Sequence, residues 1–185
     1  MEVYKVIPAS YSALLPRNPE EYQNVLGTGA FTGRPMVAHW RPLELEFTDP
    51  QQLSTDFFYF GLGAIAFPQR TLDVFASTFE RAGELLPFTI GGTTYHALNV
   101  LRRVNCLDVT LSHVKRLSNG KILKIDRYIF HPPSVAGEDL FLISEEVSTL
   151  FAVLDITDPS PSFFRSYHER GMTGLTFQKV WTDCS

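Results

Sequence analysis

Cysteine is scarce in this 185-residue chain. Cys106 and Cys184 are the only two, too few for a disulfide framework and, in a reducing compartment, not expected to be bridged. Long hydrophobic runs are missing as well: no stretch approaches the roughly 18 apolar residues that a membrane-spanning helix needs. The first residues, MEVYKVIPAS, lack a basic start followed by an apolar run, so no secretory signal is expected and the chain reads as cytoplasmic. Positive charge is not in excess either. A net charge of −4 disfavours a nucleic-acid backbone as partner and permits a basic protein surface. The histidines His39, His96, His113, His131 and His168 include no helical i, i+4 pair of the kind that shares a zinc ion, so no metal site is read from them. The run GTGAFTG at 27–33 lacks the features of a phosphate loop. No apolar strand feeds it, no Gly-Lys-Ser/Thr ends it, and Arg34-Pro35 follows in place of a helix. No cofactor is expected.

Apolar side chains are plentiful. Hydrophobic residues make up 44% of the chain, with fifteen phenylalanines, which supplies a packed core and excludes disorder. The length fits one domain over residues 1–185. Its centre is the stretch YHALNVLRRVNCLD, Tyr95 to Asp108. Tyr95, Ala97 and Asn99 alternate with His96, Leu98 and Val100, so both faces are apolar and the stretch reads as a central strand covered on both sides. Gly91-Gly92 supplies its entry turn. Beyond Arg102 the alternation stops, and Asn105, Cys106 and Asp108 suit a turn whose side chains satisfy backbone amides.

In order along the chain, 1–7 reads as a short strand, 8–35 as a surface loop with one helical turn near Pro19, and 43–47 as a half-exposed strand. The apolar run 56–67, interrupted by Gly61 and Gly63, reads as a buried extended segment. It leads into a helix over 68–82 whose Leu72, Phe75, Ala76 and Phe79 form one stripe. Residues 85–90 read as the next extended piece. Ser118-Asn119-Gly120 marks a tight turn between hairpin strands, the second running to Phe130. A strand at 140–143 is followed by Ser144 as N-cap and a helix over 145–154, with Glu145-Glu146 in its first turn and Val147, Leu150, Phe151 and Leu154 as its stripe. A turn-rich insertion, 155–161, precedes a short helix at 162–170 and a closing strand to Trp181. These elements predict an α+β fold: a mixed or antiparallel sheet with amphipathic helices packed on it. The order strand, stripe helix, glycine, strand occurs at 56–90 and again at 138–180, which points to an internal duplication.

No catalytic motif stands out. Cys106 is read as a buried structural residue, since no local pattern brings a histidine to it. The alternative is a small-ligand-binding protein or enzyme with a pocket near Asn105, Cys106 and Asp108. Phe163, Phe164 and Tyr167 are read as core.

Three passages together resemble immunity family eleven of the bacterial polymorphic toxins, formerly a domain of unknown function. YHALNVLRRVNCLD is similar to that family's tyrosine-led strand with Leu-Asn-Val and an Asp-Cys-Leu-Asp or related tail, with Asn105 standing where the family pattern has an acidic residue. EDLFLISEEVSTLF is similar to its strand followed by Ser-Glu-Glu, and ERGMTGLTFQKV to its closing strand. The resemblance covers 56–180 and leaves 1–55 as an N-terminal extension packed on that region. It implies an immunity protein, without catalytic residues, that binds and neutralises a cognate toxin domain encoded by a neighbouring gene. The 155–161 insertion is where a scaffold can vary without unfolding its core. It nominates Asp155, Asp158 and Ser160 as toxin-binding residues.

Overall fold

Period-two alternation governs most of this chain. A computed structural model describes residues 1–11, 14–26, 31–48, 54–61 and 63–183. In chain order its elements are β1 (Glu2–Pro8), β2 (Leu14–Pro16), α1 (Pro19–Leu26), β3 (Glu44–Phe47), β4 (Phe58–Gly61), β5 (Ala64–Pro68), α2 (Gln69–Ala82), β6 (Gly83–Ile90) and β7 (Thr93–Val100). There follow β8 (His113–Arg116), β9 (Ile122–Arg127), α3 (Pro132–Val135), β10 (Leu140–Ile143), β11 (Glu146–Leu154), α4 (Phe163–Glu169) and β12 (Leu175–Thr182). The fold is α+β, with helices packed on antiparallel and mixed sheets. Among the described residues no helix is long and apolar enough to cross a membrane.

One sheet has four antiparallel strands in the order β10-β11-β1-β12. A second has six in the order β2-β3-β6-β7-β5-β4, with β3 and β6 its parallel pair, and β8 and β9 form a third of two strands. β7 lies between β5 and β6, as expected of a strand with two apolar faces. Its Leu98 and Val100 enter a central core shared by both sheets, α2 and α4. Its Tyr95 and Ala97 enter a second core with Leu43, Phe58 and Phe88. The same alternation splits β11: Leu150 and Ala152 face the central core, while Phe151 and Val153 face a third core closed by residues 104–135. Each of the two larger sheets is therefore buried on both sides. α2 forms where the 68–82 stripe predicts it, although its buried side is Thr71, Phe75, Thr78, Phe79 and Ala82, turned slightly from the Leu72–Ala76 line. Pro68 is the residue before the helix, not its first helical position.

Three expectations are corrected. Residues 145–154 are not a helix. Ser144 and Glu145 form the turn of a β10–β11 hairpin in which Ile143 faces Glu146, and Glu146–Leu154 is strand β11. An apolar run buried on both faces satisfies helical spacing by accident, and pairing with β1 and β10 decides the outcome. Glu146 consequently caps no helix. It accepts hydrogen bonds from Lys5 at 2.8 Å, from Thr149 at 2.7 Å and from Tyr128. Burial alone pushes its carboxyl up, and those donors together hold it below the usual range. The two strand-helix-strand units also differ, because the second has a strand where the first has α2. Finally, 1–55 is not an extension laid on a finished domain. β1 lies between β11 and β12, and β2 and β3 complete one flank of the six-stranded sheet.

Smaller pieces follow local chemistry. The 8–35 stretch holds β2 and α1, whose first amides, of Glu20 and Glu21, donate to Asn18 Oδ1. Ala30 and the three residues before it lie outside the described residues, as does Cys184. The β8–β9 turn forms at Ser118–Gly120, with Gly120 at φ 81° and Asn119 Oδ1 accepting the Lys121 amide. Ser162 caps α4 by accepting the Arg165 amide at 3.2 Å.

Candidate functional site

Asp155, Asp158 and Ser160 line one wall of a shallow cleft whose other residues come from distant parts of the chain. The last turn of α2 supplies Arg81, the entry to β10 supplies Gly137, Glu138 and Asp139, and the start of α4 is reached at Ser162. The cleft has a volume of about 200 Å³ and adjoins a second of about 320 Å³ that reaches Thr78 and Arg102. Four carboxylates face two guanidinium groups across this surface, so it is net acidic.

The aspartates of the loop are held by their own turns. Asp155 Oδ1 accepts the Thr157 hydroxyl at 2.7 Å and the Thr157 amide at 2.9 Å, and Asp158 Oδ1 accepts the Ser160 amide at 2.8 Å. The hydrogen bonds from Thr157 and from Ser160 hold the two carboxyls below the usual aspartate range, so both are charged at neutral pH. Arg165, on the first turn of α4, donates from Nη2 to the carbonyls of Asp155 and Asp158 at 3.2 and 3.0 Å. The loop is thereby fixed to the helix that follows it. Ser160 is exposed, and its amide completes the Asp158 turn.

Asp139 forms the floor. It accepts the Phe163 amide at 2.7 Å, and Thr78 and Arg81 approach it at 3.4 Å, which ties α2 to α4. Burial pushes its carboxyl up, against the lowering by those donors. Glu138 accepts from Arg102 Nε at 2.8 Å and from Arg102 Nη2. Asp139 and Glu138 were not singled out in the sequence. Their only local signal is a pair of adjacent acids after Gly137, and the fold alone sets them against a loop that follows the next hairpin. The loop carboxylates of Asp155 and Asp158, held on a fixed backbone, offer acceptors to lysine or arginine side chains without rearrangement, whereas Glu138 and Asp139 already pair with Arg102 and Arg81. Among the described residues no three His, Cys, Asp or Glu side chains could hold a metal ion.

The fold brings Cys106, Asp108 and His131 together, with His131 Nε2 4.0 Å from Asp108 Oδ2 and the His131 amide donating to the Cys106 carbonyl at 2.8 Å, but the thiol itself is enclosed. Cys106 is a free thiol with no exposed surface, packed in the third core beside Leu107 and Phe130. Burial pushes its thiol up to about 12, far from a nucleophile's range. Asp108 spends Oδ1 on the amides of Thr110 and Leu111, both at 2.9 Å, as a turn residue should, and Asn105 is exposed. His96 lies elsewhere, on the six-stranded sheet 2.9 Å from Gln69, and His113 opens the β8–β9 hairpin. Iodoacetamide should therefore leave Cys106 unmodified in the native protein and alkylate it in denaturant, read by peptide mass mapping. Rapid native modification would contradict its burial. Phe163 and Tyr167 are core, as expected, and Phe164 is partly exposed, stacked on Tyr4.

No family model matches this chain, and no curated protein matches it.

Proposed function

We propose that this protein is a cytoplasmic immunity protein that binds and neutralises a cognate bacterial toxin domain encoded by a neighbouring gene, without catalysis. The three passages that resemble immunity family eleven motivate the reading, and one structural observation supports it. Two ionised aspartates on a fixed loop stand beside Glu138 and Asp139 in a single cleft, an acidic surface fit for a basic toxin face. Rim charges of this kind act mainly on the rate of encounter.

Co-purification with the product of the adjacent gene tests the function itself. If no toxin domain co-purifies and none loses activity in the presence of this protein, the reading fails. The cleft is tested separately. Asp155→Asn/Asp158→Asn should slow association with that toxin several-fold at low salt and flatten its salt dependence, while the dissociation rate changes little. Stopped-flow or surface-plasmon traces at two salt concentrations measure this, and unchanged association at both would move the interface elsewhere.

A further inference from the structure

The β8–β9 hairpin combines a run of positive charge with exposed hydrocarbon. Residues 113–127 carry Lys115, Arg116, Lys121, Lys124 and Arg127 against Asp126 alone. That is +5 and −1, hence +4 within a chain of net −4, so the remainder of the chain carries −8. Lys115 and Lys124 share the one carboxylate, at 2.9 and 2.8 Å. Arg116 and Arg127 donate to the carbonyls of Gly120 and Leu111 at 2.9 and 3.2 Å. Carbonyl partners steady these guanidinium groups without neutralising them, and all five cationic side chains are exposed. The hairpin surface is strongly cationic.

Seven large apolar side chains are exposed among the described residues, and three of them, Leu111, Leu117 and Leu123, belong to this hairpin and the turn that enters it. The core does not need them, because the hairpin is anchored through Val114, Ile122 and Ile125, which pack on the third core. Leu117 and Leu123 are 45% and 64% exposed and stand at the turn end, each adjacent in the chain to one member of the Arg116–Ile122 pair. Cations flank both. Leu117 follows Arg116 and donates its amide to the Lys121 carbonyl at 2.8 Å, and Lys124 follows Leu123. The third core lies on one face of the four-stranded sheet, while α2 and α4, whose ends line the acidic cleft, pack on the other. The molecule is therefore polarised, with basic and acidic surfaces served by opposite faces of one sheet.

We propose that the tip of the β8–β9 hairpin docks on an anionic lipid bilayer, with Leu117 and Leu123 entering the headgroup region and Arg116, Lys121 and Lys124 meeting lipid phosphates and carboxylates. Clustered cations are attracted to an anionic leaflet, and apolar side chains that enter the interface add burial to that attraction. Such a contact is peripheral and needs no spanning segment. The leucines decide against a nucleic acid: a phosphate backbone offers them nothing, and 113–127 holds no aromatic ring on which a base could stack. The negative remainder of the chain sets the orientation, since the bilayer that attracts the hairpin repels the acidic cleft. The cleft then stays open to the aqueous side. This docking does not depend on the toxin reading.

The full chain is mixed with vesicles of phosphatidylcholine alone, or of equal parts phosphatidylcholine and phosphatidylserine, and the bound fraction is read by co-sedimentation. Binding is expected to the phosphatidylserine vesicles at low salt, and should be lost at high salt and with phosphatidylcholine alone. Lys121→Gln/Lys124→Gln, which halves the net charge of the hairpin, should weaken binding at least about tenfold. Leu117→Ser/Leu123→Ser should weaken it about fivefold or more. Circular dichroism spectra of both variants should match the parent's. Leu123→Trp reads location: over the background of Trp40 and Trp181, its emission should shift to the blue with phosphatidylserine vesicles and be quenched by brominated acyl chains. The proposal is overturned if the parent does not bind phosphatidylserine vesicles or binds both kinds alike, if either double variant binds as well as the parent, or if the new tryptophan is not quenched. A single-stranded oligonucleotide that binds more tightly than the phosphatidylserine vesicles also overturns it, in favour of a nucleic acid.

Discussion

Phe57→Ala should lower folding stability by about 3–5 kcal/mol, the range for removing a fully enclosed phenylalanine, read from urea unfolding with circular dichroism. Phe57 has no exposed surface, and its ring lies among side chains of β5, α2 and α4. The ring centroids of Phe67 on β5, Phe75 on α2, Phe163 on α4 and Tyr167 on α4 are 5.7–5.8 Å away, and that of Phe79 is 6.4 Å away. Truncation removes the transfer energy of the ring and opens a cavity whose walls belong to a sheet and two helices, so collapse around it is limited. Leu123→Ala, at a side chain 64% exposed on the hairpin, should change stability by less than about 0.5 kcal/mol. A loss below about 1 kcal/mol at Phe57 would show that the central core does not depend on this ring.

Gly174→Ala is expected to be still more damaging, by about 4 kcal/mol or more, which places it among the rare severe single substitutions. Gly174 has φ +98°, and a Cβ built there would lie 1.8 Å from the Phe57 carbonyl oxygen and 2.7 Å from its carbon. Both are backbone atoms and cannot swing aside. They are also pinned. Phe57 N donates to Thr173 O at 3.0 Å, Ala9 N donates to Gly174 O at 2.9 Å, and Asp56 Oδ2 accepts both the amide and the hydroxyl of Thr173 at 3.0 and 2.9 Å. Relief of the clash would break the strap that joins the start of β4 to the start of β12. Gly171→Ala separates clash from strain. Gly171 has φ +62° with nothing within 4 Å of its Cβ position, so only the left-handed backbone penalty of about 1–2 kcal/mol applies. Equal losses at the two glycines, in unfolding midpoint at constant m-value, would rule out the close approach as the cause.

The two charged surfaces follow from the same architecture. Burying the two larger sheets on both faces leaves little room for polar side chains on their strands. Charge collects instead in the 155–161 loop and in the mostly exposed two-stranded β8–β9 sheet. The loop aspartates were legible before the fold was known, because turn chemistry is local and an insertion rich in Asp, Pro and Ser shows it. Their neighbours Arg81, Glu138 and Asp139 were not, since three separate segments meet there only once α2 and α4 pack on the same core.

Local order alone determined several elements. The alternation of Tyr95–Val100 with apolar residues on both faces specified a central strand. The stripe through Phe75 and Phe79, opposed by Asp73, Ser77 and Glu80, specified α2. Ser118-Asn119-Gly120 specified a hairpin turn, and Asp108 a turn that satisfies its own amides. Tertiary structure decided the rest. The segment 146–154 carries apolar residues at helical spacing, and also a run, Leu150–Val153, that is buried without a break. Such a run fits a helix or a two-sided strand equally well until neighbours supply hydrogen-bond partners. Those neighbours are β10, adjacent in sequence, and β1, from the far end of the chain. No residue in MEVYKVIP signals that it will lie between β11 and β12. That position follows from pairing backbone groups across the length of the chain, because a buried strand must satisfy its amides and carbonyls on both sides and only the folded protein brings the partners within reach.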